Sequence, residues 1–418
     1  PVRPPKRLNE VRQLIKGGLR DISVSRLRSK VPWALPVPDD DAHSIYVWVD
    51  ALTNYLTVTG FGTQWGRVGC EQQKNGDGDN AASSASSASS SDSLSKFWPA
   101  HCHIIGKDIL RFHCVYWPAF LMAAGLPLPR QVVAHGHWTT ERVKMSKSLG
   151  NVVAPDTLIE EWGVDPVRYF FLREANLSTD ADFSAESIEA RVNSELADTL
   201  GNLATRCTGS ALLPEARVPF LPDAAYSAYM ATLHPDKAAP RNDRFLENVD
   251  PDHVKMIDMV MQLRSKVADR YDEMEFDAGL SEIMAVLRET NAYFQRHEPW
   301  ALRKRVREGS ATAEDEEELD MVLYTVLESL RVAGILLQPV IPGSAERLLD
   351  HLGVPNEAKE EEGGGDEVVV EEGQEGEEEK GGTGFRSLQA ALFRWKGGGT
   401  RIGGGGSEKF VLYAKRKK

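Results

Sequence analysis

Two lysines three residues apart, Lys144 and Lys147, stand in the run AHGHWTTERVKMSKSLGN over residues 134–151, with Ser146 and Ser148 beside them and Gly150 just beyond. Ammonium groups are compact point charges. A loop that carries two of them with hydroxyls can close over a polyphosphate and tighten as charge builds between an α-phosphorus and a leaving pyrophosphate. That is a device for stabilising a transition state. On residue types alone, a solvated Lys/Ser turn fits the same run equally well.

The elements that would position such a loop are legible on either side of it. Upstream, VVAHG has the small and apolar residues of a strand end, and QVVAHG reads as a parallel-type strand. HCHIIG has the apolar centre and glycine end of a buried strand, and KDILRFHCVYWPAFLMAAG continues it as a helix that Pro118 kinks or restarts. Ile109, His113 and Trp117 recur every four residues and share a helix face, either walling a pocket or packing. In HSIYVWVDALTNYLTVTG, residues 43–60, the alternation of Ile45, Val47 and Val49 predicts a strand that runs into a helix. Trp48, Asp50 and Tyr55 lie around that junction, where open α/β sheets hold ligands, although a core Trp and Tyr fit as well. Cys102, His103, His113 and Cys114 form two adjacent pairs too far apart for a closed zinc site, so no protein-bound zinc is expected.

The 418 residues suffice for two or three domains, and 41% hydrophobic residues can build their cores. No run approaches the length needed to span a bilayer. The four cysteines, Cys70, Cys102, Cys114 and Cys207, make neither a disulfide scaffold nor a CxxC knuckle. Asn9 to Gly18 reads as a short helix, and DISVSRLR as a strand or extended arm. Residues 71–95 are low in complexity and are expected to be a disordered insertion. From residue 182, Ile188, Val192, Leu196, Leu200 and Leu203 form an apolar stripe, with Asn202 and Arg206 one turn apart beside it. A loop is expected over 214–250. Three periodic stretches then complete a helical bundle, with Trp300 at the end of the second of them, after HEP, as packing or as a base platform. The formal charge of −13 is uneven: 357–380 hold twelve acids and two lysines, whereas 381–418 hold nine bases and one acid. Overall acidity therefore does not exclude a nucleic-acid partner met by a local basic surface.

Five pieces, YVWVDALTNYLT, HIIGKDILRFHCVYWPAFLMAAGLPLP, VVAHG, KMSKSLGN and the helical region with GNLATR and NAYFQRHEPW, resemble methionyl-tRNA synthetases in their usual order. KMSKS alone points to class I aminoacyl-tRNA synthetases; the WVDA, GKD and FH...YWP context points to methionine. The resemblance implies an α/β fold: the C-terminal half of a Rossmann-type class I catalytic domain over 1–180, followed by an α-helical anticodon-binding bundle over 181–350 and a disordered tail over 357–418. It implies a methionine–tRNA ligase that uses ATP with Mg²⁺, L-methionine and tRNA(Met), acts as a monomer and needs no membrane. Trp48, Tyr55, His113 and Trp117 would line the methionine side-chain pocket. Gly106 and Asp108 would sit at the nucleotide, with Lys144, Ser146 and Lys147 on its phosphates and the two lysines catalytic. Asn202, Arg206 and Trp300 would read the CAU anticodon. LTNYLT is closer to the bacterial and organellar type, which favours the mitochondrial matrix over the cytoplasm.

The chain departs from that pattern in carrying no HIGH-like motif. It opens PVRPPKRL without methionine and reads as beginning within a longer protein, with little activation expected of it alone. Two other readings stay open: a non-catalytic tRNA-binding or assembly protein that keeps the anticodon domain, and a class I synthetase for another amino acid.

Overall fold

The computed structural model describes residues 1–60, 97–140, 142–145, 149–220, 250–355, 402 and 410–415. The expected insertion at 71–95, most of the 214–250 loop, Ser146, Lys147 and most of the 357–418 tail lie outside the described residues. The chain divides into two compact units, one of Pro1–Trp138 with Leu177–Ala181, the other of Thr139–Asn176 with Asp182–Lys418.

The first unit runs β1 (Val2–Arg3), α1 (Pro5–Lys16), β2 (Ser25–Leu27), β3 (Pro36–Val37), β4 (Asp40–Ile45), α2 (Val47–Thr57), β5 (His103–Gly106), α3 (Trp117–Ala123) and β6 (Val132–His135). Its parallel sheet has the order β1-β6-β5, with β6 central and Val132 opposite both Val2 and His103. Val11, Ile105, Leu110, Val115, Val132 and Ala134 form the core around it. β2, β4 and β3 make a separate antiparallel sheet. The strand expected to extend through Val49 therefore stops at Ile45 and is not part of the parallel sheet. Tyr46 turns the chain, and the Val49 N–H already donates to the Tyr46 carbonyl at 2.8 Å, so Val47 and Val49 belong to the helix. Between β5 and α3 come a 3₁₀ turn, Lys107–Ile109, and a π-helical turn, Phe112–Tyr116. Pro118 lies in the first turn of α3, where its missing N–H costs no hydrogen bond, and so restarts the helix.

The second unit contains β7 (Trp138–Thr140), β8 (Val143–Lys144), α4 (Pro155–Trp162), α5 (Val164–Glu174), β9 (Ala181–Phe183), α6 (Ala185–Arg191), α7 (Asn202–Cys207), α8 (Pro251–Asp272), α9 (Phe276–Arg296), α10 (Pro299–Glu308), α11 (Ala313–Leu337) and α12 (Pro342–His351). A capping box between Ser184 and Ser187 starts α6. A π-helical stretch, Val192–Gly201, joins α6 to α7 as one rod. The stripe of Ile188, Val192, Leu196, Leu200 and Leu203 is fully buried on that rod. α11 is buried almost all round from Leu319 to Leu337, as the centre of a bundle must be, and α8, α9, α10 and α12 pack on it. Of the tail, Ile402 and Leu412 are buried, Phe410 stacks on His351 at 3.8 Å, and Lys415 pairs with Asp198 at 2.8 Å. Ile402 and Leu412 are therefore packed into the second unit, while Lys415 stays exposed beside Asp198.

Candidate active site and anticodon interface

In the first unit, one face of α2 and the π-turn bring the four predicted pocket residues together. The Tyr55 hydroxyl donates to His113 Nε2 at 2.9 Å, while His113 Nδ1–H donates to the Ile109 carbonyl at 3.0 Å. One ring nitrogen accepts and the other donates, so the imidazole is neutral and its tautomer is fixed. Burial, opposed by the Ile109 carbonyl, lowers the His113 pKa. Trp48 stands edge-on to His113 at 6.2 Å, and Tyr55 lies 6.1 Å from the Trp117 ring. Three further rings, not predicted from the sequence as site residues, join the cluster. Phe112 stacks on Trp48 at 3.9 Å, Trp98 crosses Trp117 at 5.8 Å, and His103 lies 4.3 Å from Tyr55. Trp117 Nε1–H donates to His103 Nε2 at 3.3 Å; burial, with the neighbouring His113, pulls the His103 pKa down to about 4, so this ring too is neutral. The result is a packed cluster of neutral rings, chemically suited to contact a neutral, polarisable side chain such as a thioether.

The carboxyl ends of β5 and β6 form the second part of the site, where a parallel sheet offers its ligand crevice. Gly106 pairs with His135, and a Cβ on Gly106 would meet nothing within 4 Å, leaving open space above the strand end. Asp108 lies 3.2 Å from His137 Nε2. Lys107 Nζ donates to both oxygens of Asp180 at 2.7 Å, and the His137 backbone N–H donates to the same carboxylate at 2.8 Å. Lys107 first, then that N–H, hold the Asp180 carboxyl at about 2. Lys107 belongs to the GKD stretch and His137 to the 134–151 run, but Asp180 carries no sequence pattern; its position follows from Gly136, whose N–H donates to the Leu177 carbonyl at 3.0 Å. A Cβ on Gly136 would lie 2.1 Å from the Thr179 carbonyl oxygen, so only glycine admits this approach. Gly136→Ala is expected to displace residues 177–181 and cost about 1–3 kcal/mol, the scale of overpacking; denaturant unfolding measures it, and an unchanged midpoint would contradict this reading of Gly136.

In the second unit, Lys144 ends the β7–β8 hairpin, opposite Thr139. Asp182 pins that hairpin: it accepts from Thr139 Oγ1 at 2.5 Å and from the Arg142 N–H at 2.8 Å, where Arg142 has φ 62. The Asn151 amide donates to the Lys144 carbonyl at 3.4 Å and closes the loop's far side. The base of the KMSKS loop is thus held on both flanks.

Of the three predicted base-reading residues, the second unit brings Arg206 and Trp300 into contact, and Asn202 lies one turn before Arg206 on the same helix. Asn202 is exposed at the start of α7. The Arg206 guanidinium sits over the Phe294 ring at 5.0 Å and the Trp300 ring at 5.7 Å, and Nη2 donates to Gln295 Oε1 at 3.3 Å. Trp300 does not end a helix, as expected, but opens α10: Glu298 has a left-handed φ of 44, which breaks the chain after α9, and Pro299 starts the next helix. Trp300 is 37% exposed, enough surface for a base to stack on.

Comparison with known proteins gives the family of both regions. The family model for class I tRNA synthetases (M) matches residues 2–208, and that for the anticodon binding domain of methionyl tRNA ligase matches residues 246–375. The methionine–tRNA ligase of Rhizobium meliloti is 39% identical over 357 residues, 85% of this chain and 58% of that protein. The human mitochondrial methionine–tRNA ligase is 39% identical over 344 residues, 82% of this chain and 51% of that protein. The methionyl-tRNA synthetase of Mycobacterium tuberculosis, solved with methionyl-adenylate, superposes with a TM-score of 0.71 at 33% identity, over 98% of this chain and 64% of that one. The chain spans about half the length of the curated relatives it matches. Fold and site together define a class I aminoacyl-tRNA synthetase catalytic region followed by a helical anticodon-binding region. Within that class, the chain belongs to the methionyl-tRNA synthetase family.

Proposed function

We propose that the chain supplies the methionine pocket, the KMSKS loop and the anticodon reader of a methionine–tRNA ligase. The cluster of Trp48, Tyr55, His113 and Trp117 carries this reading, because its rings offer soft aromatic contact and no charge to a side chain that has none. In the first step the methionine carboxylate oxygen attacks the α-phosphorus of Mg²⁺-ATP and the bond to the β-phosphate breaks, with pyrophosphate leaving. In the second, a terminal ribose hydroxyl of tRNA(Met) attacks the adenylate carbonyl and AMP departs. Gly106 leaves room for the nucleotide, Asp108 accepts from the ribose, and Lys144, Ser146 and Lys147 hold the phosphates. Catalysis is positioning and charge stabilisation, with no covalent enzyme intermediate. Asn202, Arg206 and Trp300 read the CAU anticodon by amide, guanidinium and stacking contacts. We read the protein as a monomer of the mitochondrial matrix, on the LTNYLT wording and the human mitochondrial relative; cell fractionation tests the compartment against the cytoplasm.

Methionine-dependent charging by the enzyme that bears this sequence tests the pocket. Tyr55→Phe leaves the buried His113 Nε2 without its donor, at a cost of about 1–3 kcal/mol. The expected outcome is a rise in KM for methionine of about five- to 150-fold with KM for ATP nearly unchanged. A variant with normal methionine KM would remove Tyr55 and His113 from the pocket.

A further inference from the structure

Beneath the turn that launches Trp300 lies a chain of titratable groups outside the base-reading triad. His297 caps α9 and begins the His297-Glu298-Pro299 turn that sets the direction of α10. Both of its ring nitrogens face carboxylates: Nδ1 lies 2.6 Å from Glu318 Oε1 and Nε2 lies 3.1 Å from Asp252 Oδ2. A neutral imidazole has one N–H and cannot donate twice, and ionised carboxylates have no proton to lend, so the geometry calls for the imidazolium. His253 stacks on it at 4.7 Å with 25° between planes, and its Nε2 donates to the other oxygen of Glu318 at 2.8 Å, while Tyr293 bonds its Nδ1 at 2.7 Å.

His253, His297 and Glu318 are also the one set of described residues whose donor atoms approach closely enough to hold a metal ion. The two stacked rings, however, send their nitrogens side by side to separate oxygens of one carboxylate, which is a fork of two hydrogen bonds; ligands of one ion would converge on a point. The groups around His297 are Asp250, which caps α8, Asp252 and His253 of α8, Tyr293 of α9, with Arg296 behind Asp252, and Glu318 of α11. Arg296 holds Asp252 through two hydrogen bonds of 2.9 Å and reaches Glu289 at 3.0 Å. Burial opposes a charge on His297, but Glu318 and Asp252 outweigh it and hold its pKa above the ordinary histidine value. Glu318 in turn, though burial works against it, is brought down to about 2 by His253 and His297.

We propose that protonated His297 is a positioning residue for the base platform: by tying α8 and α11 to this turn it fixes Trp300 against Arg206, and anticodon discrimination thereby depends on a histidine. This rests on the reading of Asn202, Arg206 and Trp300 as anticodon contacts. Because the folded-state pKa of His297 is raised, the clamp is complete below the ordinary value of about 6.5 and is lost as pH rises through the raised value.

The test is binding of the full chain to a methionine tRNA and to the same tRNA with an altered anticodon, across about pH 6 to 9. The ratio of the two affinities cancels pH effects on phosphate contacts common to both. The expected ratio falls about tenfold as pH rises, the scale of one lost charge-assisted hydrogen bond. His297→Gln should hold it flat at the high-pH level, and Glu318→Gln, which weakens the pull on the proton, should move the midpoint to lower pH. A flat wild-type profile, or a His297→Gln profile like wild type, with Trp300→Ala still destroying discrimination, overturns the role of His297 alone. Full discrimination in Trp300→Ala overturns the anticodon reading itself and the proposal with it.

Discussion

Alanine at Lys147 is expected to slow methionyl-adenylate formation by about 10²–10³ in the enzyme that bears this sequence, the loss typical of a preorganised group aimed at transition-state charge. The hairpin that carries Lys144 into this loop is pinned by Asp182 on one flank and Asn151 on the other. Lys144 is launched from this fixed base, so its ammonium can meet charge that builds between the α-phosphorus and pyrophosphate without first ordering the hairpin. Because that charge is absent from bound ATP, kcat and kcat/KM should fall together, with KM for ATP little changed. Single-turnover adenylate formation measures this. A rise in KM alone would make Lys147 a ground-state phosphate contact, and an effect below about threefold would return the loop to a solvated turn.

Glu195→Ala is expected to destabilise the chain by about 3–5 kcal/mol, the cost of removing one partner from a buried charge cluster. Glu195 lies in the π-helical stretch, 5% exposed, and accepts from the Tyr169 hydroxyl at 2.6 Å, from Arg173 at 3.1 and 3.2 Å and from Arg191 at 3.2 Å. Without it, two guanidiniums and a buried phenol lose their shared acceptor beside the rod that leads into Asn202 and Arg206. Burial by itself would raise the Glu195 pKa; the Tyr169 hydroxyl and the two arginines overcome it and lower the value. A carboxyl with a depressed folded-state pKa stabilises fully above its unfolded value of about 4.3, and that contribution disappears as pH falls through the folded value. Denaturant unfolding of Glu195→Ala against wild type at neutral and acid pH should show a large gap that narrows in acid. A gap under about 1 kcal/mol at neutral pH would mean that the cluster is solvated.

What the sequence made legible follows from periodicity and from local signals. The buried stripe from Ile188 to Leu203 and the parallel strands around His103 and Val132 follow from spacing, because burial selects apolar residues at the period of the element. The face expected of Ile109, His113 and Trp117 does not form: the 3₁₀ and π-helical turns break the helical period, and Ile109 packs on the sheet core while Trp117 packs with Leu52 and Leu121. The periodicity does not separate α10 and α12 although Pro299, Gly309 and Pro342 mark their ends, since each is short and its neighbours dominate the pattern. Contacts across long separations had no local signal: the family resemblance alone grouped Tyr55 with His113 and Arg206 with Trp300, and nothing grouped Lys107 with Asp180. The approach of Arg206 to Trp300, of Lys107 to Asp180 and of Tyr55 to His113 is decided by packing, and nothing local in either partner announces it. The strand through Val49 failed for a different reason: Ile45, Val47 and Val49 alternate across a strand end and a helix start, and three residues cannot separate the two periods.

The most direct measurement is the amino-acid dependence of ATP–pyrophosphate exchange by the enzyme that bears this sequence, followed by charging of a methionine tRNA. The pocket of neutral rings predicts exchange with methionine, none with charged or β-branched amino acids, and charging that depends on Arg206 and Trp300. Exchange driven by another amino acid, or tRNA binding with no exchange at all, would contradict it, the latter leaving the helical region as a tRNA-binding module without ligase activity.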